Sequence, residues 1–136
     1  GLTRLGMIGQ VPAAAVEVTD MLPAVAQGAI GIERRSDDTR VADMLAAIHH
    51  GETGQRLAAE RSFLAALDGS CETPLAGLAE LDGSTLRLRG EVLRPDGSEA
   101  INDDQSAPIE DGAALGREMA AKLLEQAGEG FFDWRE

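Results

Sequence analysis

Cysteine is nearly absent from this chain of 136 residues; Cys71 is the only one. A lone cysteine cannot close an intrachain disulfide, so it is either a small buried hydrophobe or a thiol kept for its reactivity. Aromatic residues are scarce at 3%, and a hydrophobic core must therefore be built from aliphatic side chains. Lysine is scarcer still: Lys122 stands alone among twelve Lys and Arg residues. No apolar run approaches the roughly 20 residues that a membrane-spanning helix needs. The start, Gly1-Leu2-Thr3-Arg4-Leu5-Gly6, holds no basic-then-apolar leader and no initiator Met, and reads as a helix end cut from the middle of a longer protein. These absences together point to a reducing, cytoplasmic setting.

Acidic charge is abundant. The net charge of −12 repels phosphate backbones and argues against nucleic-acid binding. The positive charges are almost all arginine, whose planar fork grips carboxylates through two hydrogen bonds. A GC-rich, Arg- and Ala-biased genome is the simpler explanation of that count.

Periodicity predicts a loop at Leu22–Gly28 and short strand candidates at Val16–Val18 and Ala29–Glu33. A helix follows from about Thr39 to His49, capped by Asp37 or Asp38 and ended by Gly51. A second helix runs from about Glu52 to Leu67 with Leu57, Phe63, Leu64 and Leu67 as its apolar positions. The pattern then alternates. Strands are expected at Leu75–Leu81, Thr85–Arg94 and, more weakly, Ser98–Gln105, with turns at Asp82-Gly83 and Pro95-Asp96-Gly97. A last helix spans Asp111–Ala127 with Leu115, Met119 and Leu123 on one stripe. Residues 51–136 thus read as one α+β unit, a three-stranded antiparallel sheet with helices on one face. Residues 1–50 do not complete a fold of their own.

Read one at a time, most candidate groups have plain explanations. His49 and His50 lie at an expected helix end, where cations satisfy the last carbonyls. One Cys and two adjacent His do not make a zinc site at ordinary spacing. Glu60-Arg61 reads as a solvated or ion-paired helix face, and Arg87 and Arg89 as the solvent face of a strand. Cys71, in the Gly69-Ser70-Cys71-Glu72-Thr73-Pro74 phrase, is the exception: flanking Gly, Ser and Pro put it on a turn that can present it to a ligand.

Read together, the phrases are more specific. Glu60-Arg61-x-Phe63-x-x-x-Leu67-x-Gly69-Ser70-Cys71-x-Thr73-Pro74-Leu75-Ala76 resembles the signature of the porphobilinogen deaminases, or hydroxymethylbilane synthases. Leu22-Pro23-Ala24-Val25-Ala26-Gln27-Gly28-Ala29-Ile30-Gly31-Ile32-Glu33 is similar to a second family segment, with Ala26 where that family usually has Gly. Gly1-Leu2-x-Arg4-Leu5-Gly6 is similar to a third.

The resemblance implies a C-terminal portion of such an enzyme, which joins four porphobilinogen units head-to-tail with release of ammonia in haem biosynthesis. It implies a dipyrromethane cofactor held as a thioether on Cys71, with Arg4, Gln27 and Gly28 as further cofactor-binding positions and Arg35 as another contact. Residues 51–136 would be the cofactor-anchoring domain. Residues 1–50 would be remnants of two cleft-forming domains of α/β periplasmic-binding-protein-like fold. The catalytic aspartate of the family lies upstream, so no catalytic residue is expected in this chain, no metal, and no activity of the fragment alone. The implied partners are porphobilinogen and the growing linear tetrapyrrole, not nucleic acid or membrane. The full-length enzyme would be monomeric, and the fragment prone to self-association. The competing reading, from the residues alone, is a free-standing α+β interaction module with a structural cysteine.

Overall fold

Alternation at period two along residues 75–108 yields a three-stranded antiparallel meander. In the computed structural model, which describes residues 1–67 and 73–132, β1 (Leu75–Asp82), β2 (Thr85–Leu93) and β3 (Ala100–Pro108) pair in the order β1-β2-β3. The first hairpin turns tightly at Gly83, where φ is +56° and glycine carries no steric penalty. Register pairs Asp82 with Thr85 and Gly77 with Gly90. That register puts Leu86, Leu88 and Val92 on the buried face of β2 and Arg87 on the other.

Two helices cover the buried face: α2 (Gly51–Ala66) and α3 (Gly112–Ala127). The core is mostly aliphatic, as the scarcity of aromatics requires, with Phe63 and Phe131 as its buried aromatic members. Phe63 of α2 sits fully buried among Ala59, Leu88, Met119 and Leu123. Its ring has room because Gly90 faces it; a Cβ at Gly90 would lie 2.8 Å from Phe63 Cζ and 2.7 Å from Met119 Sδ. Phe131 closes the end of the core beneath the guanidinium of Arg94, 4.8 Å from its ring centre.

The first fifty residues contribute a single 3-10 turn, Ile8–Gln10, and one short α-helix, α1 (Thr39–Ala46), begun by the Asp38 side chain, which accepts from Val41 N at 2.9 Å. Residues 1–20 are exposed throughout. No helix among the described residues is long and apolar enough to cross a membrane.

Four expectations change. Val16–Val18 and Ala29–Glu33 are not strands: a strand needs a partner, and the three sheet strands pair with one another, leaving Ile30 and Ile32 exposed. Gly51 does not end α1, which stops at Ala46; it begins α2. His50 caps the start of that helix, its Nδ1 accepting from Thr53 N at 3.3 Å, rather than serving a helix C-terminus. The third strand begins two residues later and ends three residues later than expected, and Arg94 N bonds Glu99 O across the turn before it.

Candidate functional site

Helix α2 places Leu57, Glu60, Phe63, Leu64 and Leu67 along one stripe, by the three-and-four spacing of a helix. Glu60 therefore points where its apolar neighbours point, and it is only 6% exposed. This corrects the expectation of a solvated carboxylate. A buried carboxylate costs several kcal/mol unless hydrogen bonds replace its water. Here two backbone groups do so: Ala79 N of β1 donates to Oε1 at 2.8 Å, and Ala26 N donates to Oε2 at 2.7 Å. No Lys or Arg pairs with Glu60 among the described residues.

Those two bonds belong to a larger seam. The Leu22–Gly28 loop runs beside β1, where Gly77 N donates to Pro23 O at 3.0 Å. Val25 packs against the core at that point. A Cβ on Gly77 would come within 2.8 Å of Val25 Cγ1, so the loop needs a glycine there to approach so closely. The free outer edge of β1 is thereby occupied by loop backbone and by the Glu60 carboxylate.

The loop bends sharply. Ala26 has φ +60°, the one non-glycine residue with positive φ among the described residues, and Gly28 follows at +75°. An L-residue in this left-handed region costs about 1–2 kcal/mol. The bend leaves Gln27 and Gly28 exposed. Neither of their backbone N–H groups donates to a described residue. Two adjacent, unclaimed N–H groups on a fixed bend suit an acceptor such as a carboxylate.

Gly28 also borders a cleft of about 580 Å³ between the 28–32 segment, α1 and the start of α2, lined by Ile30, Ile32, Leu45, Ile48 and His49. On the outer face of the sheet, Arg89 is not the solvated residue expected. Its side chain is 13% exposed; it donates to Glu80 Oε2 at 2.8 Å and to Val18 O at 3.4 Å, while its Nε meets no acceptor among the described residues. Arg87 is exposed as expected and forks onto Asp104, Nε to Oδ1 at 2.9 Å. The hydrogen bond from Arg87, then its charge, hold the Asp104 carboxyl below its ordinary value against partial desolvation.

The candidate binding residues are only partly gathered. Gln27 and Gly28 are adjacent on the held bend. Arg4 lies in an exposed N-terminal turn closed by Met7 N to Leu2 O, and Arg35 is an exposed partner of Asp37 at 3.5 Å. No hydrogen bond or ion pair among the described residues joins either arginine to the bend. Cys71 lies outside the described residues. The described residues hold no cluster of His, Cys, Asp and Glu fit for a metal ion. Sequence reasoning missed Glu60, although a signal was present: a Glu at the centre of an apolar helical stripe is out of place unless something on that face receives it.

Comparison with known proteins bears on both parts of the chain. The family model described as "Porphobilinogen deaminase, C-terminal domain" matches residues 55–125. The one described as "Porphobilinogen deaminase, dipyromethane cofactor binding domain" matches residues 1–43. Among curated proteins, the porphobilinogen deaminase of Paracoccus denitrificans is 60% identical over 134 residues, covering 98% of this chain and 42% of its own length. Those of Nitrobacter hamburgensis and Nitrobacter winogradskyi are 45% and 46% identical over 132 residues, covering 97% of this chain and 42% of theirs. The chain thus spans less than half the length of the curated relatives it matches.

Proposed function

The chain belongs to the porphobilinogen deaminase family, and from that premise we propose that it acts as the C-terminal part of a hydroxymethylbilane synthase. This is a cytoplasmic transferase of haem biosynthesis that joins four porphobilinogen units head-to-tail with release of ammonia. When bound, the dipyrromethane cofactor supplies the free pyrrole position from which the linear tetrapyrrole is extended. Cys71 would hold that cofactor as a thioether through its sulfur, which would then need no neighbouring base in each cycle. Arg4 pairs with a carboxylate of the cofactor or growing chain. Gln27 and Gly28 donate their N–H groups to another. Arg35 makes a further contact.

The observation that carries this reading is the Gln27–Gly28 bend: an exposed pair of unclaimed N–H groups, fixed by Glu60 to the strand that follows Cys71 in sequence. A ring system bearing acetate and propionate groups needs such donors. Residues 1–50 complete the periplasmic-binding-protein-like domains that enclose the cleft, and residues 51–136 form the anchoring domain. The catalytic aspartate is supplied from upstream, so this chain alone does not turn over.

Incubating the chain with porphobilinogen is expected to yield no linear tetrapyrrole; turnover would overturn the placement of the catalytic group. In the full-length enzyme, intact mass is expected to show a two-pyrrole adduct that Cys71→Ser removes. An adduct that survives the substitution would overturn the anchor.

A further inference from the structure

We propose that Glu60 is a positioning residue: its buried carboxylate fixes the Gln27–Gly28 bend relative to helix α2, which precedes Cys71 in sequence. The inference rests on the reading above, in which the cofactor is held at both places. Helix α2 carries Glu60, ends at Ala66, and has Leu67 at its C-cap; Cys71 comes four residues later in sequence. The same helix thus holds one contact by a carboxylate and leads to the other by covalent connection.

The geometry asks for a carboxylate in particular. Both oxygens accept backbone N–H groups from segments far apart in sequence, Ala26 and Ala79. Glutamine offers one acceptor oxygen and turns an NH₂ toward the second N–H. Aspartate keeps both oxygens but is one methylene shorter and cannot reach both segments from the same backbone position. Alanine leaves two buried N–H groups without a partner. The bond to Ala26 also holds the residue of the bend with unfavourable φ, directly before the two exposed N–H groups. Arg61, the next residue, is exposed and takes no part.

Two measurements test this. Amide exchange of the chain is expected to quicken at Ala26 by roughly tenfold to a hundredfold in Glu60→Ala, the loss of a hydrogen bond to a charged group. Leu88 and Met119 amides should exchange as in the parent. Glu60→Gln, which keeps the volume, should give a smaller effect and serves if Glu60→Ala does not fold. Unchanged exchange at Ala26 in either variant overturns the proposal.

In the full-length enzyme, cofactor loading per folded molecule, read by intact mass, should fall about tenfold in Glu60→Ala and recover in part in Glu60→Gln. A purely structural glutamate would lower the melting temperature and leave loading per folded molecule unchanged, and that result also overturns the proposal. Cys71→Ser is the control for the underlying reading. Loss of the adduct in Cys71→Ser together with full loading in the Glu60 variants rejects the positioning role alone; an adduct retained in Cys71→Ser rejects the reading it rests on.

Discussion

Gly116 of α3 lies directly against the Ala59 carbonyl of α2. A Cβ built on Gly116 would fall well inside contact distance of that oxygen and 2.8 Å from Phe63 N. The obstruction is backbone, which cannot rotate aside, so the two helices touch where neither has a side chain to spare. Gly116→Ala gains about 1 kcal/mol of helix propensity but must push the helices apart. A net loss of about 1–3 kcal/mol is expected, seen as a lower midpoint in urea with an unchanged slope.

Phe63 fills the space that Gly77 and Gly90 leave. Phe63→Ala is expected to cost about 3–5 kcal/mol. Gly90→Ala is expected to cost less, about 1–3 kcal/mol, because the Met119 sulfur can move although the Phe63 ring cannot. Denaturant titration of both variants checks the order.

Ala26 carries its left-handed conformation at a cost. Ala26→Gly removes about 1–2 kcal/mol of strain and adds about 0.4–1 kcal/mol of unfolded-chain freedom. A net stabilisation of up to about 1.6 kcal/mol follows. A lower melting temperature in Ala26→Gly would show that the strain is not there.

Asp38 starts α1, a helix that holds no fully buried residue. Asp38→Ala should therefore speed amide exchange at Val41 and fray that helix by about 1 kcal/mol, with exchange in α2, α3 and the sheet unaltered.

Asp104 is held below its ordinary value of 3.8, first by the hydrogen bond from Arg87 and next by that charge, against desolvation. A depressed folded value means that the group stabilises the fold above its unfolded value. That contribution is lost as pH falls through the folded value. The pair is about half exposed, so the effect is small. The melting temperature of Asp104→Asn should fall less steeply below pH 4 than that of the parent and should respond less to salt at neutral pH.

Period and punctuation made the meander, α2 and α3 legible in the sequence, because Leu86, Leu88, Leu115, Met119 and Leu123 face a core whose fully buried members all lie between Ala59 and Phe131. Ala29–Glu33 failed for the opposite reason. Its alternation is real, but a strand exists only with a partner, and periodicity does not show whether one is present. Glu60 failed differently: the apolar stripe around it signals burial, but its partner Ala26 lies thirty-four residues away, and no local pattern names that partner. Gln27 and Gly28 were found by resemblance; that their N–H groups stay unclaimed needed coordinates.

The seam along β1 also fixes how copies of this chain can associate. The N–H groups of Gly77 and Ala79 are committed to Pro23 and Glu60, so β1 has nothing to offer an incoming strand at its centre. Among the described residues, β3 is the other edge strand of the sheet. A sheet with a single open edge can join another only once, edge to edge, and growth then stops. Pairing of this kind between folded molecules ends at two.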